Sequence, residues 1–291
     1  MNLCDRATIQ QLLNGHGFHF SKAMGQNFLI EDWVPHDIAD ASRADSGCGV
    51  LEIGPGIGSL TQQLCLRAGK VVSVELDRRL LPILEETMAP FPQFTLVSGD
   101  VMKLDLAALV KEHFQGLKPL LCANLPYNIT TPLLTKCMEA RCFSSLTVLI
   151  QKEVAQRICA APGTADYGAF TLLMQYYTAP ELLFTVPPTC FMPAPKVTSA
   201  VIHCPVRSQP PVSVNSEDML WRTVRGGFAL RRKTLVNSLA TAYGSQLSKE
   251  ELTDCLSACN LPSDIRGERL SLEDYAHLAN TLQRMLEEKE A

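Results

Sequence analysis

Between Val50 and Ser59 the chain reads VLEIGPGIGS, an apolar run broken only by Glu52 and followed by glycines at 54, 56 and 58. A short apolar run bounded by glycines is the pattern of a parallel strand buried on both faces, and glycines permit backbone angles closed to other residues and a close approach to a ligand. A strand, a tight turn and a helix are expected here, with a turn of the nucleotide-binding kind. In the dinucleotide fingerprint the third glycine follows the second by three residues. Here the gap is two, and Ser59 stands where that pattern requires glycine.

Strand and helix patterns alternate around this turn. Strands are expected over Val50–Gly54, Lys70–Leu76, Phe94–Gly99, Leu120–Asn124 and Ser145–Gln151, with helices through Leu60–Leu66, Arg78–Met88, Leu133–Ala140 and Lys152–Cys159. Such alternation implies βαβ units, right-handed crossovers and a parallel sheet. Glu181–Val186 and Thr198–Val206 follow with little helix between them, so an antiparallel pair closing the sheet edge is expected. Arg207–Ser216, RSQPPVSVNS, is polar with paired prolines and reads as a linker. Beyond it the chain reads as helices, with capping-box patterns at Ser248 to Glu251 and Ser271 to Asp274. The expected organisation is an α/β domain over 1–206 and a small helical domain over 207–291.

With 291 residues, 46% of them hydrophobic, the chain can build both cores without covalent staples. Its eleven cysteines include no CxxC pair, and its six histidines do not join them at zinc-ligand spacing. They read as reduced thiols of a cytoplasmic protein that holds no metal. The first residues lack the basic and apolar regions of a signal peptide, and the longest uncharged stretch, Pro119 to Thr135, carries three prolines, so no membrane-spanning helix is expected. A net charge of −4 weighs against a nucleic-acid partner. Its distribution weighs the other way: between Lys196 and Leu247 there are seven basic residues and two acidic ones, and Arg222, Arg225, Arg231, Arg232 and Lys233 form a cluster suited to phosphates.

The two-residue glycine gap, with Glu52 just ahead, resembles S-adenosylmethionine-dependent methyltransferases. Ligands of open α/β sheets bind beyond the carboxyl ends of the strands. Glu75, in VVSVELD, ends the second expected strand, where a carboxylate can accept both ribose hydroxyls; Asp100, in SGDV, ends the third and can accept from an adenine amino group. The fourth ends in Asn124-Leu125-Pro126-Tyr127. An exocyclic amine on a nucleobase is a poor nucleophile because its lone pair is delocalised into the ring. The Asn124 side-chain oxygen and the Leu125 carbonyl can accept its two N–H bonds and favour a pyramidal nitrogen. Pro126 biases Leu125 to an extended conformation, and Tyr127 offers an aromatic face. Each feature also has a plainer use. The acids can be solvated or capping groups, NLPY an ordinary turn, and Phe28, Leu29 and Phe191 core anchors; the basic cluster can be a solvated helix face. Convergence of several strand ends favours the binding use.

Taken together, GQNFL, VLEIGPGIGSLT, VELD, GDVMKLD, NLPYNITTP, QKEVAQRI, FMPAPKV and RRKTLVNSL resemble the ribosomal RNA adenine N6,N6-dimethyltransferase family over nearly the whole chain. The resemblance implies an α/β fold, a Rossmann-like class I methyltransferase sheet with a small C-terminal helical domain. It implies S-adenosyl-L-methionine as methyl donor and dimethylation of two adjacent adenines in the 3′-terminal hairpin of 16S rRNA. The partner would be the small (30S) ribosomal subunit during ribosome biogenesis, and the enzyme a cytoplasmic monomer. By the family pattern Asn27, Leu29, Gly54, Glu75, Asp100 and Asn124 line the cofactor site, Asn124 to Tyr127 hold the target adenine, and Phe191 stacks on its other face. The family often carries several lysines before GQNFL, whereas only Lys22 stands there here, which places more of the rRNA contact on the later basic cluster. Three competitors stand beside this reading: a large-subunit rRNA adenine methyltransferase, a non-catalytic small-subunit assembly factor, and an NAD-dependent oxidoreductase. The glycine spacing and NLPY disfavour the last.

Overall fold

In the computed structural model, which describes residues 1–20 and 26–290, the apolar run ahead of the glycine turn is a strand buried at all six of its positions. Lys22 and Gly25 lie outside the described residues. In chain order the first elements are α1 (Arg6–Gly15), β1 (Phe28–Leu29), α2 (Trp33–Ala41), β2 (Cys48–Ile53), α3 (Ser59–Cys65), β3 (Lys70–Glu75), α4 (Leu81–Met88), β4 (Phe94–Ser98), α5 (Leu106–His113) and β5 (Lys118–Asn124). Then come α6 (Thr130–Ala140), β6 (Ser145–Gln151), α7 (Lys152–Ile158), α8 (Ala169–Tyr177), β7 (Glu181–Val186), β8 (Phe191–Met192) and β9 (Ser199–Pro205). Four helices follow: α9 (Glu217–Ala229), α10 (Leu235–Tyr243), α11 (Lys249–Ala258) and α12 (Leu272–Glu290).

Seven strands form one sheet in the order β4-β3-β2-β5-β6-β9-β7. The first five are parallel, and β9 runs antiparallel to both β6 and β7, which gives the expected edge pair. Between β2 and β5 the chain order reverses, so the crevice beyond their carboxyl ends is the topological switch point where open sheets bind ligands. Val50, Val71, Leu120 and Leu149, from four strands, pack in one core with Ile57, Leu60 and Leu64 of the glycine turn and α3. Each such side chain taken out of water contributes about 1.5–3 kcal/mol, so burial of the turn's own apolar residues helps hold the glycines in place. A separate two-stranded ribbon pairs β1 with β8, matching Leu29 with Phe191.

The chain divides into two compact units, and the expected boundary needs correction. The first holds Met1–Ala155 and Thr178–Val206; the second holds Gln156–Tyr177 as well as everything from Arg207 onward. The reason is packing. Tyr167, Leu172 and Tyr176 are buried in one core with Leu220, Val224, Leu239 and Leu278 of the later helices. The Tyr167 hydroxyl donates to the Leu270 carbonyl at 2.8 Å, and Tyr176 meets Trp221 edge-on at 5.2 Å. Alternation of strand and helix assigns 156–177 to the sheet domain, and only these tertiary partners reveal otherwise. Both capping patterns are present: Ser248 and Glu251 exchange bonds at the start of α11, and Ser271 and Asp274 do so ahead of α12. All eleven cysteines are free thiols, and among the described residues no helix is long and apolar enough to cross a membrane.

Candidate active site

The three glycines of the turn all take left-handed backbone angles, with φ of 68° at Gly54, 63° at Gly56 and 97° at Gly58. A side chain at Gly56 would be strained and would place its Cβ 3.1 Å from the Phe28 ring. The turn therefore presents bare backbone to a crevice of about 310 Å³, within the range of small-molecule sites. Its walls include all six residues expected to line a cofactor site: Asn27, Leu29, Gly54, Glu75, Asp100 and Asn124. Leu125, Pro126 and Tyr127 line it as well.

Four carboxylates lie at or under the crevice, each with different partners. Glu52 is 1% exposed, accepts from the hydroxyls of Thr61 at 2.7 Å and Ser73 at 2.6 Å, and is pushed up to about 7 by burial. It ties β2 to β3 and α3 beneath the turn. Glu75 is raised to about 6, again by burial, while N–H groups of Asp77, Gly56 and Leu76 favour its charged form; the bond from Asp77 is 2.8 Å. Asp77 is held below the usual carboxylate range, chiefly by the Arg79 guanidinium at 2.6 Å, and also accepts from the Gln26 amide at 2.7 Å. This clamp pins Gln26 to the crevice edge, and Asp77, the second acid of VELD, is its sequence signal. Asp100 is partly exposed and accepts from the Met102 N–H at 3.0 Å.

At the end of β5 the Asn124 amide nitrogen donates to the Asn27 carbonyl at 3.2 Å. That bond fixes which end of the amide is the acceptor. The Leu125 N–H donates to the Leu149 carbonyl at 3.0 Å, and the Pro126 carbonyl accepts from the Ile129 N–H at 3.2 Å and the Thr130 hydroxyl at 3.1 Å. The turn is thus bonded on both sides of the Leu125 carbonyl. Tyr127 is partly buried, and its hydroxyl pairs with that of Ser199 at 2.6 Å. Two acceptor oxygens and an aromatic face are therefore set in one rigid bend, an arrangement suited to gripping a planar base with an exocyclic amine.

Three of the expected contact residues have protein partners of their own. Phe191 is 3% exposed, packs in the core of the first unit and is not part of the crevice wall. Pairing of β8 with β1 turns it inward, which its position among prolines does not reveal. Arg222 lies 4.1 Å from the centre of the Tyr243 ring and donates to the Ala242 carbonyl at 2.6 Å, so its charge is engaged within the helical unit. Arg231 pairs with Glu268 at 3.0 Å and donates to the carbonyls of Ala165 and Tyr167. Arg231 is itself exposed, as are Arg225, Arg232 and Lys233.

Residues 17–284 match the family described as ribosomal RNA adenine dimethylase. A curated protein of Alkaliphilus oremlandii named ribosomal RNA small subunit methyltransferase A is 44% identical over 95% of this chain and 96% of its own length. One of the same name from a Geobacillus species is 43% identical over the same shares. Among solved structures, a dimethyladenosine transferase from Plasmodium falciparum matches with a TM-score of 0.71 at 24% identity, over 86% of this chain and 95% of that one. The 23S rRNA methyltransferase ErmE matches with a TM-score of 0.67 at 24% identity, over 88% of this chain and all of that one. Both structural likenesses bear on the fold.

Proposed function

Since the chain belongs to the ribosomal RNA adenine dimethylase family, we propose that its crevice dimethylates the N6 amino groups of two adjacent adenines in the 3′-terminal hairpin of 16S rRNA, with S-adenosylmethionine as donor. The observation that carries this reading is the Asn124 turn, whose amide is oriented by the Asn27 carbonyl and leaves Oδ1 as the acceptor. S-adenosylmethionine, when bound, supplies an electrophilic methyl group on a positively charged sulfur. Glu75 accepts from ribose hydroxyls, Asp100 from the adenine amine, and Asn27, Leu29 and Gly54 shape the rest of that pocket. A duplex base must leave its stack to reach the crevice, and Tyr127 provides the ring on which it lies. Asn124 Oδ1 and the Leu125 carbonyl draw the two amine protons out of the ring plane, and their bonds strengthen as the nitrogen gains positive charge. This needs orientation rather than a metal or a strong base.

The helical unit supplies phosphate contacts through Arg225, Arg232 and Lys233, and the substrate is the small (30S) subunit, met by a monomer in the cytoplasm. The names of the curated relatives favour this target over a large-subunit adenine. Incubation of the full chain with unmethylated small subunits, and separately with large subunits, in the presence of labelled donor tests the reading. Label at two adjacent adenines of the small subunit is expected. Label confined to large subunits overturns it, and no incorporation on either leaves the assembly-factor reading standing.

Glu75 gives this site a pH signature. Ribose hydroxyls donate to the charged carboxylate, so protonation removes the acceptor. With the free group raised to about 6, cofactor affinity should climb as pH rises through that value and then level off. Calorimetry across that range checks it, and Glu75→Gln should bind weakly with that dependence gone.

A further inference from the structure

We propose that Ser199 is a positioning residue for methyl transfer, holding the Tyr127 ring at the angle an extruded adenine must match; the inference rests on the crevice function proposed above. Tyr127 stands in the connection between β5 and α6, where nothing in the backbone ladder fixes its ring. Its hydroxyl is tethered to Ser199 Oγ at 2.6 Å, at the short end of the O–H···O range. Ser199 is a stiff anchor. It is 0% exposed, and it opens β9 paired on both sides, with Gln151 of β6 and Val186 of β7. The residues after it, Ala200, Val201 and Ile202, are apolar and fully buried, so a hydroxyl here is costly to bury unless it is bonded. Its side-chain bond goes to Tyr127, 72 positions earlier in the chain.

The consequence for chemistry is geometric. A tyrosine ring reaches about 6 Å from its Cα, so a swing of about 10° moves a base stacked on it by roughly 1 Å, and a displacement of that size can cost about a hundredfold in rate. The amine is delivered to Asn124 Oδ1 and the Leu125 carbonyl by a surface whose tilt is set from β9, inside the sheet.

The test uses the full chain with unmethylated small subunits. Ser199→Ala should lower kcat about 10- to 100-fold, with KM for subunits and cofactor affinity each within about threefold. Ser199→Thr, which keeps the hydroxyl, should recover most of the rate. Tyr127→Phe removes the same bond from the crevice side, should reproduce the loss, and serves if Ser199→Ala does not fold. Because both substitutions break one bond, the double variant should be no slower than either single. Wild-type kcat in Tyr127→Phe, or losses that multiply in the double variant, overturns the positioning role. A wild-type chain that methylates no small subunit overturns the proposed function beneath it.

Discussion

Asn124→Ala should reduce methyl transfer about 10²- to 10³-fold, the size of loss seen when one preorganised transition-state hydrogen bond is removed. The fold should survive, because the residue is the half-buried last position of β5 and its amide makes one bond, to the Asn27 carbonyl at 3.2 Å. Losing that bond costs about 0.5–1.5 kcal/mol. Cofactor affinity should change far less than the rate, since Glu75, Asp100 and the glycine turn remain. Single-turnover assays on unmethylated small subunits, with calorimetry on the same preparation, separate the two effects. Turnover at the wild-type rate would remove Asn124 from the chemistry.

Reversing charge at Arg232 and Lys233 together, both to Glu, should weaken subunit binding about 10²-fold at moderate salt and flatten its salt dependence, because each lost phosphate contact removes about 0.7–0.9 from the slope of log K against log salt. Cofactor binding should be untouched. Arg222→Ala and Arg231→Ala provide the contrast. Those guanidiniums are committed to Tyr243 and Ala242, and to Glu268 and two carbonyls, so their loss should lower the melting temperature and leave the salt slope nearly unchanged. Filter binding across a salt series, beside thermal melts, checks both halves.

The comparison among those four basic residues shows where a linear sequence stops informing. Periodicity places a charge on a helix or loop, but only tertiary partners such as Glu268 and the Ala242 carbonyl decide which of its bonds are already made. Strands were legible for the opposite reason: a parallel strand buried on both faces must be apolar along its length, and β2, β3, β5 and β6 carry that requirement in adjacent residues. Glu75, Asp100 and Asn124 were legible because strand ends converge by topology. The burial of Phe191 was not legible because a two-residue ribbon leaves no pattern. Ser199 was not seen because its partner lies across the sheet. The membership of 156–177 escaped because α8 has the same apolar spacing whichever core it enters, and Tyr167 and Tyr176 disclose their side only through Leu270 and Trp221.

That membership has a consequence for how the polypeptide is born. During synthesis residues 156–177 leave the ribosome well ahead of α9 to α12, and the sheet residues 178–206 intervene, so Tyr167, Leu172 and Tyr176 wait without their companions until translation is nearly complete. The nascent chain holds a sticky, half-made module through that interval, and a messenger truncated at the linker would yield a product carrying it permanently.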